Sequence, residues 1–216
     1  MTKPALHLPD DDTLRDSGVS ASGRGRVLLL ACGALAHEVL AIKAANGFDH
    51  LDLQCLPAIL HNRPELIPDA VEAAVTRVRG DYDSIYVLYA DCGTGGALAA
   101  RCAALGVDML EGPHCYSFFE GNARFEDLGE VTAFYLTDFL TRQFDAFVTR
   151  PLGLDKHPEL RDIYFGNYEK LVYQAQTDDA ALTEKAKACA DFLGLAFERR
   201  FTGYGDLETA LKKWGD

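Results

Sequence analysis

No stretch of about eighteen consecutive apolar residues occurs in the chain, which excludes a membrane-spanning helix. Residues 1–18 hold no apolar block and carry the acidic run Asp10-Asp11-Asp12, so they do not read as a secretory signal. Basic residues are in deficit, 21 against 33 acidic, which leaves a net charge of −12. A surface of that sign repels nucleic-acid phosphates and anionic lipid, so neither is an expected partner. Several catalytic signatures are also missing. There is no G-x-x-x-x-G-K-[ST] or G-x-G-x-x-G loop, no G-x-S-x-G elbow, no H-E-x-x-H pair and no EF-hand loop. The six cysteines include no C-x₂-C pair, the spacing that marks common zinc and iron–sulfur sites.

What is present is the make-up of a soluble globular protein, 48% hydrophobic and 25% charged. At 216 residues the chain can bury one substantial core. Without a disulfide framework its cysteines read as thiols, which points to a cytoplasmic location. Residues 1–25, rich in Asp, Ser and Gly, read as a flexible arm. From Arg26 onward short apolar runs alternate with helical periodicities. Strands are expected at Val27–Ala31, Leu51–Leu56, Ile85–Tyr89, Val107–Leu110, Val131–Leu136, Leu171–Gln174 and Phe197–Phe201. Helices are expected near 35–45, 64–79, 96–105, 183–193 and 207–213, and another is capped by Asp138. Single helices between strands imply parallel βαβ units. The expected fold is α/β: a mostly parallel open sheet of six to seven strands with helices on both faces (three-layer αβα). It forms a single domain over 26–216, with room for two unequal halves.

Three cysteines, Cys32, Cys92 and Cys115, each follow a strand-like run. In a parallel sheet the carboxyl ends share one edge, where ligands bind. Three thiols there can converge on one metal ion or one reactive centre. Cys92 opens the run Cys92-Gly93-Thr94-Gly95-Gly96, where the backbone can approach a ligand and a helix N-terminus favours an anion. A thiol at such a helix entrance has a lowered pKa. The plainer alternative is a tight turn around a buried cysteine. Pro113-His114-Cys115 sets an imidazole beside a thiol, so Cys32, Cys92, His114 and Cys115 are the candidate metal ligands, for zinc with one open position or for an iron–sulfur cluster. His61 and Arg63 follow the second strand, Arg63 suited to a carboxylate or phosphate and His61 equally to a helix-capping role. Tyr204, in the Gly203–Gly205 turn after the last strand, is a further ligand-binding candidate together with Gly93, Thr94 and Gly95. His37 and Glu38 read as a solvated helix pair, and Cys55, Cys102 and Cys189 as small apolar fillers.

The CGAL, LHNRPE, YADCGTGG, PHC and GYGDL segments together resemble a family known as domain of unknown function 1638, from about Arg26 to Trp214. The family brings no settled activity. The resemblance does imply a context, because relatives are encoded beside corrinoid-dependent methyltransferases, pterin-binding methyltransferase domains and ATP-dependent corrinoid reactivators. The implied role is an accessory in corrinoid-dependent methyl transfer, including methionine biosynthesis by a split methionine synthase. Its partners would be a corrinoid-binding protein, a pterin-dependent methyltransferase or a corrinoid reactivator, with cobalamin entering only through the partner. Two alternatives stand beside it. One is a non-catalytic docking partner that uses the aromatic stretch Tyr164–Tyr168. The other is a small-molecule enzyme with Cys92 as nucleophile and His61 or His114 as base.

Overall fold

The computed structural model describes residues 8–215. Its first elements are α1 (Asp11–Asp16), β1 (Val27–Cys32), α2 (Ala36–Asn46), β2 (Leu51–Leu56), α3 (Ile67–Val78), β3 (Ser84–Leu88), α4 (Ala97–Leu105) and β4 (Asp108–Met109). The short helices α5 (Ser117–Glu120) and α6 (Asn122–Leu128) follow. The remaining elements are β5 (Ala133–Leu136), α7 (Asp138–Arg142), α8 (Arg161–Phe165), β6 (Lys170–Ala175), α9 (Ala180–Leu193), β7 (Ala196–Phe201) and α10 (Gly205–Gly215). The described residues form two compact units, 8–118 with 206–215, and 119–205.

The first unit holds a four-stranded sheet in the order β2-β1-β3-β4. All its pairings are parallel, as single-helix crossovers require. Strand β1 lies inside the sheet, and Leu28, Leu29, Leu30 and Ala31 are fully buried. A central parallel strand covered on both faces reads as such a continuous apolar run. Helix α3 presents Ile67, Val71, Ala74 and Val75, spaced as one helical face, to the core. The C-terminal helix α10 also belongs here, and Trp214 stacks on Tyr86 of β3 with ring centroids 4.4 Å apart.

The second unit has a three-stranded parallel sheet, β5-β6-β7, with Leu171, Val172 and Tyr173 of β6 fully buried. Asp179 caps α9 by accepting the amides of Ala181 (2.8 Å) and Leu182 (3.1 Å). One ionic network joins its strands. Arg200 donates to both carboxylate oxygens of Glu130 at 2.7 and 2.8 Å, and Lys170 donates to Glu130 at 2.6 Å and to Glu198 at 2.7 Å.

Several expectations are corrected. The seven expected strands are present, but they make two sheets instead of one. Strand β4 is only two residues long, and the chain beyond it turns back onto the loop after β3. Asp91 N–H donates to Gly112 O and Cys92 N–H to Pro113 O, both at 2.9 Å. The arm is likewise no arm from residue 10 onward; its first seven residues lie outside the described residues. Leu14 of α1 is fully buried, Val19 pairs antiparallel with Cys55, and the amides of Ser22 and Gly23 bond the Asp52 carboxylate at 2.9 and 2.6 Å. This segment covers the edge of β2 and supplies donors to a carboxylate that is 5% exposed. Asp138 does not cap α7. Thr137 does, at 3.2 Å from Leu140 N, while buried Asp138 accepts from Tyr173 Oη, Gln176 N, Thr177 N and Thr177 Oγ1. The pair His37 and Glu38 is not solvated either, since Glu38 is buried and His37 Nε2 lies 2.8 Å from Pro9 O.

Candidate functional site

In the first sheet β1 is followed by β2 on one side, whereas β3 and β4 lie on the other. The winding therefore reverses between β1 and β3, and the crevice at the carboxyl end of such a reversal is where open α/β sheets bind ligands. Cys32 is the last residue of β1, and the Tyr89–Gly96 turn leaves β3 beside it. The turn is built by Asp91. Its carboxylate accepts from Thr94 Oγ1 at 3.0 Å, Gly95 N at 3.1 Å and Gly96 N at 2.6 Å, and Thr94 Oγ1 accepts from Leu98 N at 3.3 Å. These bonds, the Gly96 amide foremost, hold Asp91 below the ordinary carboxylate range against the cost of its partial desolvation. The carboxylate thus takes the place an anion would fill at the start of α4. Gly93, Thr94 and Gly95 shape the turn, and the Gly95 amide is already engaged.

Cys92 sits in this turn with φ +50°, the one non-glycine residue of positive φ among the described residues. That left-handed conformation is costly for a side chain bearing Cβ, and strain of this kind gathers at functional positions. The Cys92 Sγ lies 3.1 Å from Cys115 Sγ. Both residues keep partial exposure to solvent. The Cys115 thiol and its backbone N–H favour the Cys92 thiolate, and with the Ala90 backbone they outweigh desolvation and the nearby Asp91 charge to lower the Cys92 pKa. The shared proton stays on Cys115, whose pKa is raised by the Cys92 contact and by burial. The other four thiols are all raised by burial, Cys32 to about 12 and both Cys102 and Cys189 to about 11, with Cys55 higher still. One thiol in six is therefore set apart for reaction.

His114 stacks on Tyr116 with ring centroids 4.8 Å apart. Desolvation lowers its pKa although Asp91 opposes the shift, and His61 is lowered by desolvation and by the neighbouring His114. Burial thus disfavours the charged form of both imidazoles. Tyr89 is fully buried. Its hydroxyl has no hydrogen-bond partner of ordinary geometry, and burial foremost raises its pKa well above the ordinary tyrosine value, with Cys32 among its neighbours.

The structure thus brings Cys92 against Cys115, with His114 next to Cys115 in the chain, His61 an electrostatic neighbour of His114, and buried Cys32 an electrostatic neighbour of Cys92. It does not bring in Arg63, which is exposed and lies 3.3 Å from Glu65 Oε1. Tyr204 belongs to the second unit. Among the described residues no group of three or more His, Cys, Asp or Glu side chains is arranged to hold a metal ion, so the expected set of Cys32, Cys92, His114 and Cys115 does not form a shared zinc or iron–sulfur site here. The sequence reading missed two contributors. Asp91 was detectable as an Asx turn ahead of Thr-Gly-Gly. Tyr89 gave no signal, because its place near the thiols depends on strand order. Cys55 is buried, as expected of an apolar filler.

Residues 55–211 match the model of a family described as "Protein of unknown function (DUF1638)", well over half of the chain, and the chain belongs to that family. No curated protein and no solved structure matches. No helix among the described residues is long and apolar enough to cross a membrane.

Proposed function

For this member of the DUF1638 family we propose an accessory role in a corrinoid-dependent methyl-transfer system, with Cys92 as the reacting thiol. The observation that carries the thiol chemistry is the 3.1 Å approach of Cys115 Sγ to Cys92 Sγ, with Cys92 in a left-handed backbone at the sheet's switch point. A part-exposed thiolate is a soft nucleophile able to attack an electrophilic carbon or sulfur. The neutral His61 and His114 imidazoles accept the proton of an incoming substrate thiol. The methyl-transfer context rests on the family resemblance. Under it, the partner is a corrinoid-binding protein, a pterin-dependent methyltransferase or a corrinoid reactivator, and cobalamin stays on the partner in the cytoplasm.

The test is replacement of the native chain by the Cys92→Ser variant in cells that depend on cobalamin for methionine. The expected result is a methionine requirement that the wild-type chain relieves, with the variant present at normal abundance. Unchanged growth would remove Cys92 from the role and favour a docking partner. A second reading, a small-molecule enzyme with a cysteine nucleophile, is favoured by the His114 imidazole next to Cys115 in the chain, its charged form disfavoured by burial, with His61 as its electrostatic neighbour. Turnover of a small electrophile without any corrinoid protein would support it over the first.

A further inference from the structure

We infer that Cys92 and Cys115 form a reversible dithiol–disulfide couple that reduces a small disulfide of the glutathione type. The inference rests on the reading of Cys92 as the reacting thiol and adds the substrate class. Three observations carry it. The sulfurs already stand 3.1 Å apart, about 1 Å beyond the length of a disulfide bond. The two segments that bear them are tied by paired backbone bonds, Asp91 N–H to Gly112 O and Cys92 N–H to Pro113 O, both 2.9 Å, which hold the two backbones side by side. The glycines of the turn leave open space: at Gly95 and Gly96 a Cβ would meet nothing within 4 Å, and at Gly93 only Pro64, at 3.6 Å, and Cys92 keeps partial exposure to solvent. An extended substrate sulfur can therefore reach Cys92.

The steps balance. The Cys92 thiolate attacks one sulfur of the substrate disulfide, the substrate S–S bond breaks, and a Cys92–substrate mixed disulfide forms. The first substrate thiolate leaves and takes a proton from solvent. Cys115 then attacks Cys92 Sγ, its proton passes to the second departing thiolate, and the Cys92–Cys115 disulfide closes. Two electrons move from the protein dithiol to the substrate, and two small thiols are released.

The experiment incubates the reduced full-length protein with oxidised glutathione and maps its cysteines by peptide mass. The expected product is a Cys92–Cys115 cross-link lacking two hydrogens, reversed by dithiothreitol. With Cys115→Ser the reaction stops at a glutathione adduct on Cys92, at least tenfold more abundant than in the wild type. With Cys92→Ser, Cys115 stays free. Two results overturn the couple: both thiols remaining free in oxidised glutathione, or adducts spread equally over Cys102 and Cys189. If Cys92 still alkylates fastest in that case, the thiol reading above survives alone. If Cys92 is inert to disulfide and alkylating agent alike, both fall together.

Discussion

Glu130 is the carboxylate on which the second unit's ionic network turns, and replacing it by glutamine isolates the network's contribution. Arg200 first, with Lys170 and Tyr135 adding to it against desolvation, brings the Glu130 pKa from 4.5 down to about 2. At about 1.4 kcal/mol for each tenfold change, that shift corresponds to roughly 3 kcal/mol. Glu130 keeps 14% of its side-chain surface and Lys170 29%, so solvent screening reduces the expected contribution to about 2 kcal/mol. The sign follows from the direction. The folded value lies below the unfolded one, so the contribution is complete above pH 4.5 and is lost as pH falls from there toward about 2. Glu130→Gln should therefore lower stability by about 2 kcal/mol at pH 7 and by less than half of that at pH 3, where the unfolded carboxyl is already protonated and keeping it ionised in the folded state offsets much of the gain. Urea unfolding followed by far-ultraviolet circular dichroism at both pH values measures this. Hydrogen exchange at the β6 amides assigns the change to residues 119–205. Equal destabilisation at pH 7 and pH 3 would refute the electrostatic origin, and none at pH 7 would show that the network is neutral.

Other perturbations test the packing of the first unit and the thiol pair. Gly18→Ala should cost about 2 kcal/mol or more and open residues 8–25 to proteolysis, because φ is +70° there and the new Cβ would collide with the Cys55 carbonyl oxygen. Cys115→Ala removes the thiol that favours the Cys92 anion, so the pH midpoint of Cys92 alkylation should rise; an unmoved midpoint would show that Cys115 contributes nothing. Tyr89→Phe deletes a buried hydroxyl without an ordinary partner. It should leave stability within about 1 kcal/mol or raise it, as read from the urea midpoint.

Much of the fold was legible because its signals are local. The run Val27–Cys32 is apolar on both faces, which only a central parallel strand satisfies, and Ile67, Val71, Ala74 and Val75 carry a helical period. Sheet membership was not legible. It depends on where the chain goes after a two-residue strand, and the bonds of Gly112 and Pro113 to the Asp91–Cys92 turn are long-range. The same limit governed the N-terminal segment, whose polar composition hides one buried Leu14 and the donors it gives Asp52. At the site, the placement of Cys92 and Cys115 after strands was readable, and their approach to 3.1 Å was not. The shared metal inferred from four candidate ligands finds a thiol pair in place of a three-donor group. Burial separates Cys32 from the exposed pair, and burial is a property of the packed sheet.

The most direct measurement is residue-resolved alkylation of all six cysteines in the reduced, folded protein at pH 7, with adducts quantified by peptide mass over time. Cys92 is expected to react at least tenfold faster than any other cysteine, because its pKa alone is lowered while burial raises the rest. A rate for Cys92 no greater than that of Cys102 or Cys189 would contradict the assignment of this turn as a reactive thiol site.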